Sequence, residues 1–371
     1  MARDSLFDET ILWSGKPATI VRTPSLRLLA GVAVVVAVVC LCFAITLATA
    51  LDVRTGGLLI LSAWCSTLAL LAWRLPVLVT QKLEYFVTDK HVIWRCGRLR
   101  RTISRDAISY ALVRWHVGGQ VGDLELVRAV PTGALRRTLR LTLSGLAAPD
   151  RVLSLIRGVD ASAPLGTGAR PLAQRLDTGE RVLWSGVPRK SAWTVRRSAG
   201  VLSALVLGAA ATHAAWRALP ALERLLELHA LTVGQALLLV SGVGLGIGLL
   251  AVVAVGTGWA AGLRPRQLAR ETRYFVTDRR VLIRRGREEL MLDRSRIAYV
   301  ISAPSNRLVP RWSGLRDVFL VLDGPQARAL AASGAFGGES DGTLQPVLQA
   351  IDDADTVGSL LREAPELPQA A

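Results

Sequence analysis

YFVTDKHVIWRCGR, residues Tyr85–Arg98, and YFVTDRRVLIRRGR, residues Tyr274–Arg287, are identical at nine of fourteen positions within one chain. Each reads as two short strands around a Thr-Asp turn. β-Branched and aromatic residues favour the strands, and Asp bonds its own backbone two residues on. Gly97 and Gly286 then permit a second sharp reversal. Working outward, ETILWSGKP (Glu9–Pro17) returns as ERVLWSGVP (Glu180–Pro188), and Arg105-x-x-Ile108-x-Tyr110 returns as Arg294-x-x-Ile297-x-Tyr299. The order of these motifs is the same both times, which makes the chain a tandem duplication.

Between the Trp-Ser-Gly-x-Pro lead-in and the hairpin, each copy holds two long apolar stretches. Leu28–Leu51 carries no charge, and Thr55–Trp73, Ser198–Trp216 and Ala230–Leu263 are similarly uncharged. About 20 helical residues cross a bilayer core of roughly 30 Å, so four spans are expected. With a mean hydropathy of +0.37 over 371 residues, four buried helices of a soluble protein would need a very large polar shell. A cleaved signal peptide is not expected, because Asp4, Asp8 and Glu9 precede a run too long for one. The outer loop ALPALERLLELHAL, with Leu222, Leu225, Leu226 and Leu228, suits either a surface helix or an extension of the spans.

The net charge is +16. The two loops within the span pairs are short and nearly neutral, whereas the termini and middle region hold most of the arginine. Positive-inside bias therefore places both termini and the middle region in the cytoplasm. No zinc-finger, helix-turn-helix or RNA-stacking signature accompanies the charge, so nucleic acid is not an expected partner. The segmentation is a lead-in at 1–25, a span pair at 26–73, a β-rich domain at 74–158, a linker and second lead-in at 159–198, a span pair at 199–262 and a β-rich domain at 263–371. In copy one, strands are predicted over Arg101–Ser104, Ile108–Arg114, Asp123–Val130 and Thr138–Leu143, followed by a short helix at Pro149–Ile156. In copy two, strands are predicted over Ala298–Ser302 and Val318–Leu322, with a closing helix around Gln345–Arg362.

The repeated motifs resemble those of the bacterial pleckstrin-homology-like family of membrane-anchored proteins. In copy one they are Trp13, Gly15 and Pro17, then Tyr85, Thr88 and Asp89, then Gly97, Arg105-x-x-Ile108 and Gly122-Asp123. In copy two they are Trp184, Gly186 and Pro188, then Tyr274, Thr277 and Asp278, then Gly286, Arg294-x-x-Ile297 and Gly314-x-x-Asp317. Copy one has His91 where the family usually has Arg. The resemblance implies a seven-stranded bent sheet closed by a C-terminal helix in each copy, and it implies no catalytic activity. These motif residues are expected to be structural.

The four histidines (His91, His116, His213, His229) form no cluster, and no catalytic, metal or cofactor constellation stands out. The four cysteines have no metal-ligand spacing. Gly242, Gly244, Gly246 and Gly248 in the last span are expected to serve helix packing, since small residues let another helix approach. Two basic arrays remain: Arg95, Arg98, Arg100, Arg101 and Arg105 in copy one, and Arg284, Arg285, Arg287 and Arg294 in copy two. They are candidates for contact with a partner or with anionic lipid, which attracts about 1 kcal/mol per basic side chain. The expectation is a non-enzymatic membrane scaffold that binds protein partners or self-associates. Alternatives are an anionic-lipid sensor and a small transporter, the last needing Thr46, Thr49, Ser62, Thr67, Thr212, His213, Gln235 and Ser241 to line a path.

Overall fold

The computed structural model describes residues 9–20, 24–51, 55–129, 138–159, 176–177, 179–189, 195–227, 233–304, 314–322 and 344–362. The chain divides into two compact units. One comprises Met1–Val21, Val79–Thr194 and Arg266–Ala371; the other comprises Arg22–Leu78 and Val195–Pro265.

The second unit is helical. Its elements are α1 (Pro24–Leu51), most of α2 (Gly56–Gln81), α4 (Val195–Glu227), α5 (Val233–Gly258) and a π-helical turn at Trp259–Leu263. Four stretches, Leu26–Ile45, Gly56–Gln81, Arg197–Arg224 and Leu239–Glu271, are long and apolar enough to cross a membrane. Helix α4 continues through Pro220 to Glu227, so the described part of ALPALERLLELHAL extends the helix. Among the described residues, a Cβ added to Gly242, Gly244, Gly246 or Gly248 would meet nothing within 4 Å. The close approach of α4 and α5 falls elsewhere: a Cβ on Gly200 would meet Ala261 at 2.8 Å, and one on Gly258 would meet Ala204 at 3.4 Å. At that end Arg197, 5% exposed, donates to the Ala261 carbonyl at 2.7 Å and the Gly262 carbonyl at 2.8 Å. Those carbonyls belong to the π turn, where the regular helical ladder is interrupted and a buried guanidinium finds acceptors.

The first unit holds every described strand. Copy one supplies β1 (Ile11–Gly15), β2 (Leu83–Thr88), β3 (His91–Cys96), β4 (Leu99–Ser104), β5 (Tyr110–Trp115), β6 (Gly122–Ala129), β7 (Thr138–Leu146) and helix α3 (Pro149–Arg157). Copy two supplies β8 (Val182–Gly186), β9 (Thr272–Thr277), β10 (Arg280–Arg285), β11 (Glu288–Asp293), β12 (Ile297–Pro304), β13 (Arg316–Leu322), β14 (Val347–Ile351) and helix α7 (Ala354–Arg362); α6 (Arg264–Glu271) leads into β9. The helix expected from Gln345 thus starts later. Its first part is β14, whose Leu348 and Ile351 are buried, and α7 begins after Asp352-Asp353.

The family resemblance implies one seven-stranded sheet in each copy, but the described strands are not hydrogen-bonded in that grouping. They form three antiparallel sheets: β1-β2-β3-β4, then β7-β6-β5-β11-β10-β9-β8, then β12-β13-β14. The seven-stranded sheet crosses from one copy to the other through β5 and β11, with Glu288 opposite Arg114 and Met291 opposite Ala111. Being covered on both faces, its central strands have apolar residues at successive positions, as buried strands do. Ala111, Val113, Leu282 and Met291 point into one core with β2–β4 and α3. Their neighbours Leu112, Ile283, Leu290 and Leu292 point into the other core, with β12–β14 and α7.

Candidate functional site

The motif residues explain themselves as architecture. Trp13 and Trp184 fold over the glycine two residues on: a Cβ on Gly15 or Gly186 would sit 2.4 or 2.3 Å from the indole ring. Tyr85 O–H takes the Ser144 amide at 2.9 Å and Tyr274 O–H takes the Gln349 amide at 3.0 Å, and burial raises the pKa of both phenols. Asp123 and Asp317 each accept the next amide, from Gly145 and Ala350, at 2.8 Å.

The Thr-Asp turn has a partner in the lead-in. Thr88 O–H donates to Glu9 at 2.6 Å and accepts the His91 amide at 2.8 Å. Thr277 O–H donates to Glu180 at 2.6 Å and accepts the Arg280 amide at 2.9 Å. In copy one the pair is closed by His91 Nδ1, 2.8 Å from Glu9. In copy two the Arg280 guanidinium grips Glu180 with two bonds, Nε at 2.9 Å and Nη2 at 2.8 Å. Arg280 also pairs with Asp177 at 3.3 Å, and Arg157 joins Asp177 to Asp293, each at 3.0 Å. This network ties α3 of copy one, the linker and β10–β11 of copy two. Thr88 above all, helped by His91, holds the Glu9 carboxyl below its usual range. Burial alone would raise Glu180, but Arg280 and Thr277 hold it low as well.

The nine candidate arginines differ in what they touch. Arg105 donates to the Ile156 and Leu155 carbonyls at the end of α3 and to the Asp89 backbone carbonyl. Arg294 does the same at Leu360 in α7 and at Asp278. Both cap a helix and clamp the hairpin, so they serve the fold rather than a contact surface. Arg284 lies 3.7 Å from Glu289, Arg285 pairs with Glu288 at 2.8 Å, and Arg114 reaches the same Glu288 at 2.9 Å. Arg287 is exposed.

Copy one is different. Arg95, Arg98, Arg100 and Arg101 are all exposed, and none is within ion-pair distance of a described carboxylate. Glu84, across the ladder from Arg95, pairs instead with Lys16 at 3.3 Å. Arg101 lies over the Trp94 ring at 5.7 Å, and Arg95 stands directly opposite Arg100 across the β3–β4 pair. In the register of the repeat, Lys82, Leu99 and Arg100 occupy the positions of Glu271, Glu288 and Glu289. Copy one thus lacks all three acids that surround the same turn in copy two. Comparing acids rather than counting arginines is the signal that finds this site. The Gly97 amide donates at 3.3 Å to the carbonyl of Lys82, the residue that follows α2 in the chain.

Other chemistry is sparse. His116 pairs with Asp123 at 3.1 Å, and the described residues hold no group of three metal-ligating side chains. Of the polar groups in the long helices, Thr67 and Thr212 donate to carbonyls one turn back in their own helix, and Ser62 donates to Ala37 of α1. Compared with family models, curated proteins and solved structures, the chain matches none.

Proposed function

We propose that this chain is a four-span, non-enzymatic membrane protein whose two pleckstrin-homology-like copies form one interaction platform on the cytoplasmic side of a bacterial inner membrane. The observation that supports this best is the sheet shared between the copies through β5 and β11. Two copies joined by an antiparallel ladder and a buried ion network hold their surfaces in one fixed arrangement. That suits presenting contacts to a partner. Photo-crosslinkers at the exposed positions Thr102 and Arg287, in the full chain in native membranes, test the reading. Discrete protein adducts are expected, and adducts with lipid alone at both positions overturn it.

A second reading, contact with anionic lipid, is favoured by the unbalanced cluster of Lys82, Arg95, Arg98, Arg100 and Arg101, of which Lys82 follows α2 in the chain. Its mark is ionic strength: such attraction fades within a Debye length of about 8 Å at physiological salt.

A further inference from the structure

The fourth strand of each copy has an edge to give, and only one of the two is used among the described residues. β11 pairs with β10 on one side and with β5 on the other. β4, its counterpart in the repeat, pairs with β3 and then ends its sheet. Copy two therefore demonstrates what this edge accepts: an antiparallel strand that brings a charge opposite to the one already there, as Arg114 meets Glu288 at 2.9 Å. On β4 the polarity is inverted. Arg100 and Arg101 replace Glu289 and Leu290, and Leu99, 68% exposed, replaces Glu288.

We propose that the free edge of β4 receives an extended acidic segment of another protein as an added antiparallel strand, with carboxylates opposite Arg100 and Arg101. Main-chain hydrogen bonds of the added strand supply affinity, and the side chains at alternate positions supply selection. An acidic strand also relieves the like-charge pair of Arg95 and Arg100, which stand opposite each other without a described counter-ion. A second copy of this chain does not meet the requirement. Among the described residues, its edge strand equivalent to β5 is β12, IAYVISAP, which has no carboxylate and ends in Pro304, a residue without the N–H a ladder needs. The same arginines turn away neutral and basic strands, as edge charges do.

The inference rests on the platform reading and names its partner class. Its test uses the full chain in nanodiscs of neutral lipid. The probe is a fluorescent nine-residue Thr/Val peptide with two central glutamates, read by anisotropy beside versions with central glutamine or central proline. The glutamate peptide should bind saturably. Glutamine should weaken it about tenfold, as should the double substitution Arg100→Gln and Arg101→Gln. Proline should weaken it at least as much by removing a ladder bond, and the bound peptide should slow hydrogen exchange in Leu99–Ser104. Equal binding of the proline peptide would reduce the site to bulk charge and overturn the proposal. So would failure of the peptide to bind while anionic nanodiscs protect the same arginines, which would make the membrane the occupant. Discrete protein adducts at Arg287 would leave the platform reading standing in that event, with β4 excluded from it.

Discussion

β4 and β11 hold the same place in the repeat and differ at all six positions: Leu-Arg-Arg-Thr-Ile-Ser against Glu-Glu-Leu-Met-Leu-Asp. The cause is the neighbour. β11 lies inside the shared sheet, with Leu290, Met291 and Leu292 at or below 8% exposure, so both faces must be apolar. β4 lies at an edge, where only Ile103 is buried. Duplication supplied two equivalent edges; one became a seam and the other was kept charged.

Exchanging residues between the two strands breaks this comparison most sharply. Leu290→Arg places a charge where Arg101 tolerates one, but in a site closed on both faces. The expected cost exceeds ~4 kcal/mol and is read as loss of cooperative unfolding in detergent. The reciprocal Arg101→Leu should change stability by less than about 0.5 kcal/mol while promoting aggregation through an unguarded edge. If the two changes cost the same, the seam is not what separates the strands.

The lead-in carboxylates come next. Glu180→Ala leaves Arg280, 3% exposed, without its main partner, a loss of about 3–5 kcal/mol for a buried pair. Glu9→Ala, which frees a half-exposed His91 and one threonine, should cost about 1 kcal/mol. Chemical denaturation of each variant checks the ratio. Both carboxyls are held below their ordinary value of 4.5. Their stabilisation is therefore complete above that pH and is lost as pH falls through the lowered values. Stability of the wild type should decline below pH 4.5, and Glu180→Gln and Glu9→Gln should each flatten that slope.

A further comparison sets Gly145, at φ +71°, against Ala350, at φ +51°, equivalent residues that each present an amide to an aspartate. An L side chain in this region costs roughly 1–2 kcal/mol. Gly145→Ala should lose that much, with its Cβ 3.0 Å from the Thr19 carbonyl, while Ala350→Gly should gain up to about 1 kcal/mol in the same assay.

Much of this was legible in the chain. The hairpins, most later strands and α3 follow from alternation, turn residues and the internal repeat. The long helices follow from apolar length. The seam was not read, because a strand's neighbour across an edge leaves only an indirect trace. That trace was present in Glu288–Asp293, whose apolar run Leu290-Met291-Leu292 cannot belong to a strand with one wet face. Arg105 and Arg294 looked like surface charge because the carbonyls they cap lie 51 and 66 residues away. The spacing of Gly242–Gly248 records where another helix could come, whereas among the described residues the close approach is made at Gly200 and Gly258.

The seam also sets a schedule for biogenesis. Ala111 of β5 cannot meet Met291 until about 180 further residues have left the ribosome, among them the whole of α4 and α5. Pairings this distant in sequence form slowly, and until then copy one waits with β5 unpaired on the side where β11 will bind. A fragment ending at Gly158 should accordingly aggregate or bind chaperone, and lengthening it toward the C-terminus should rescue it only once β11 is included.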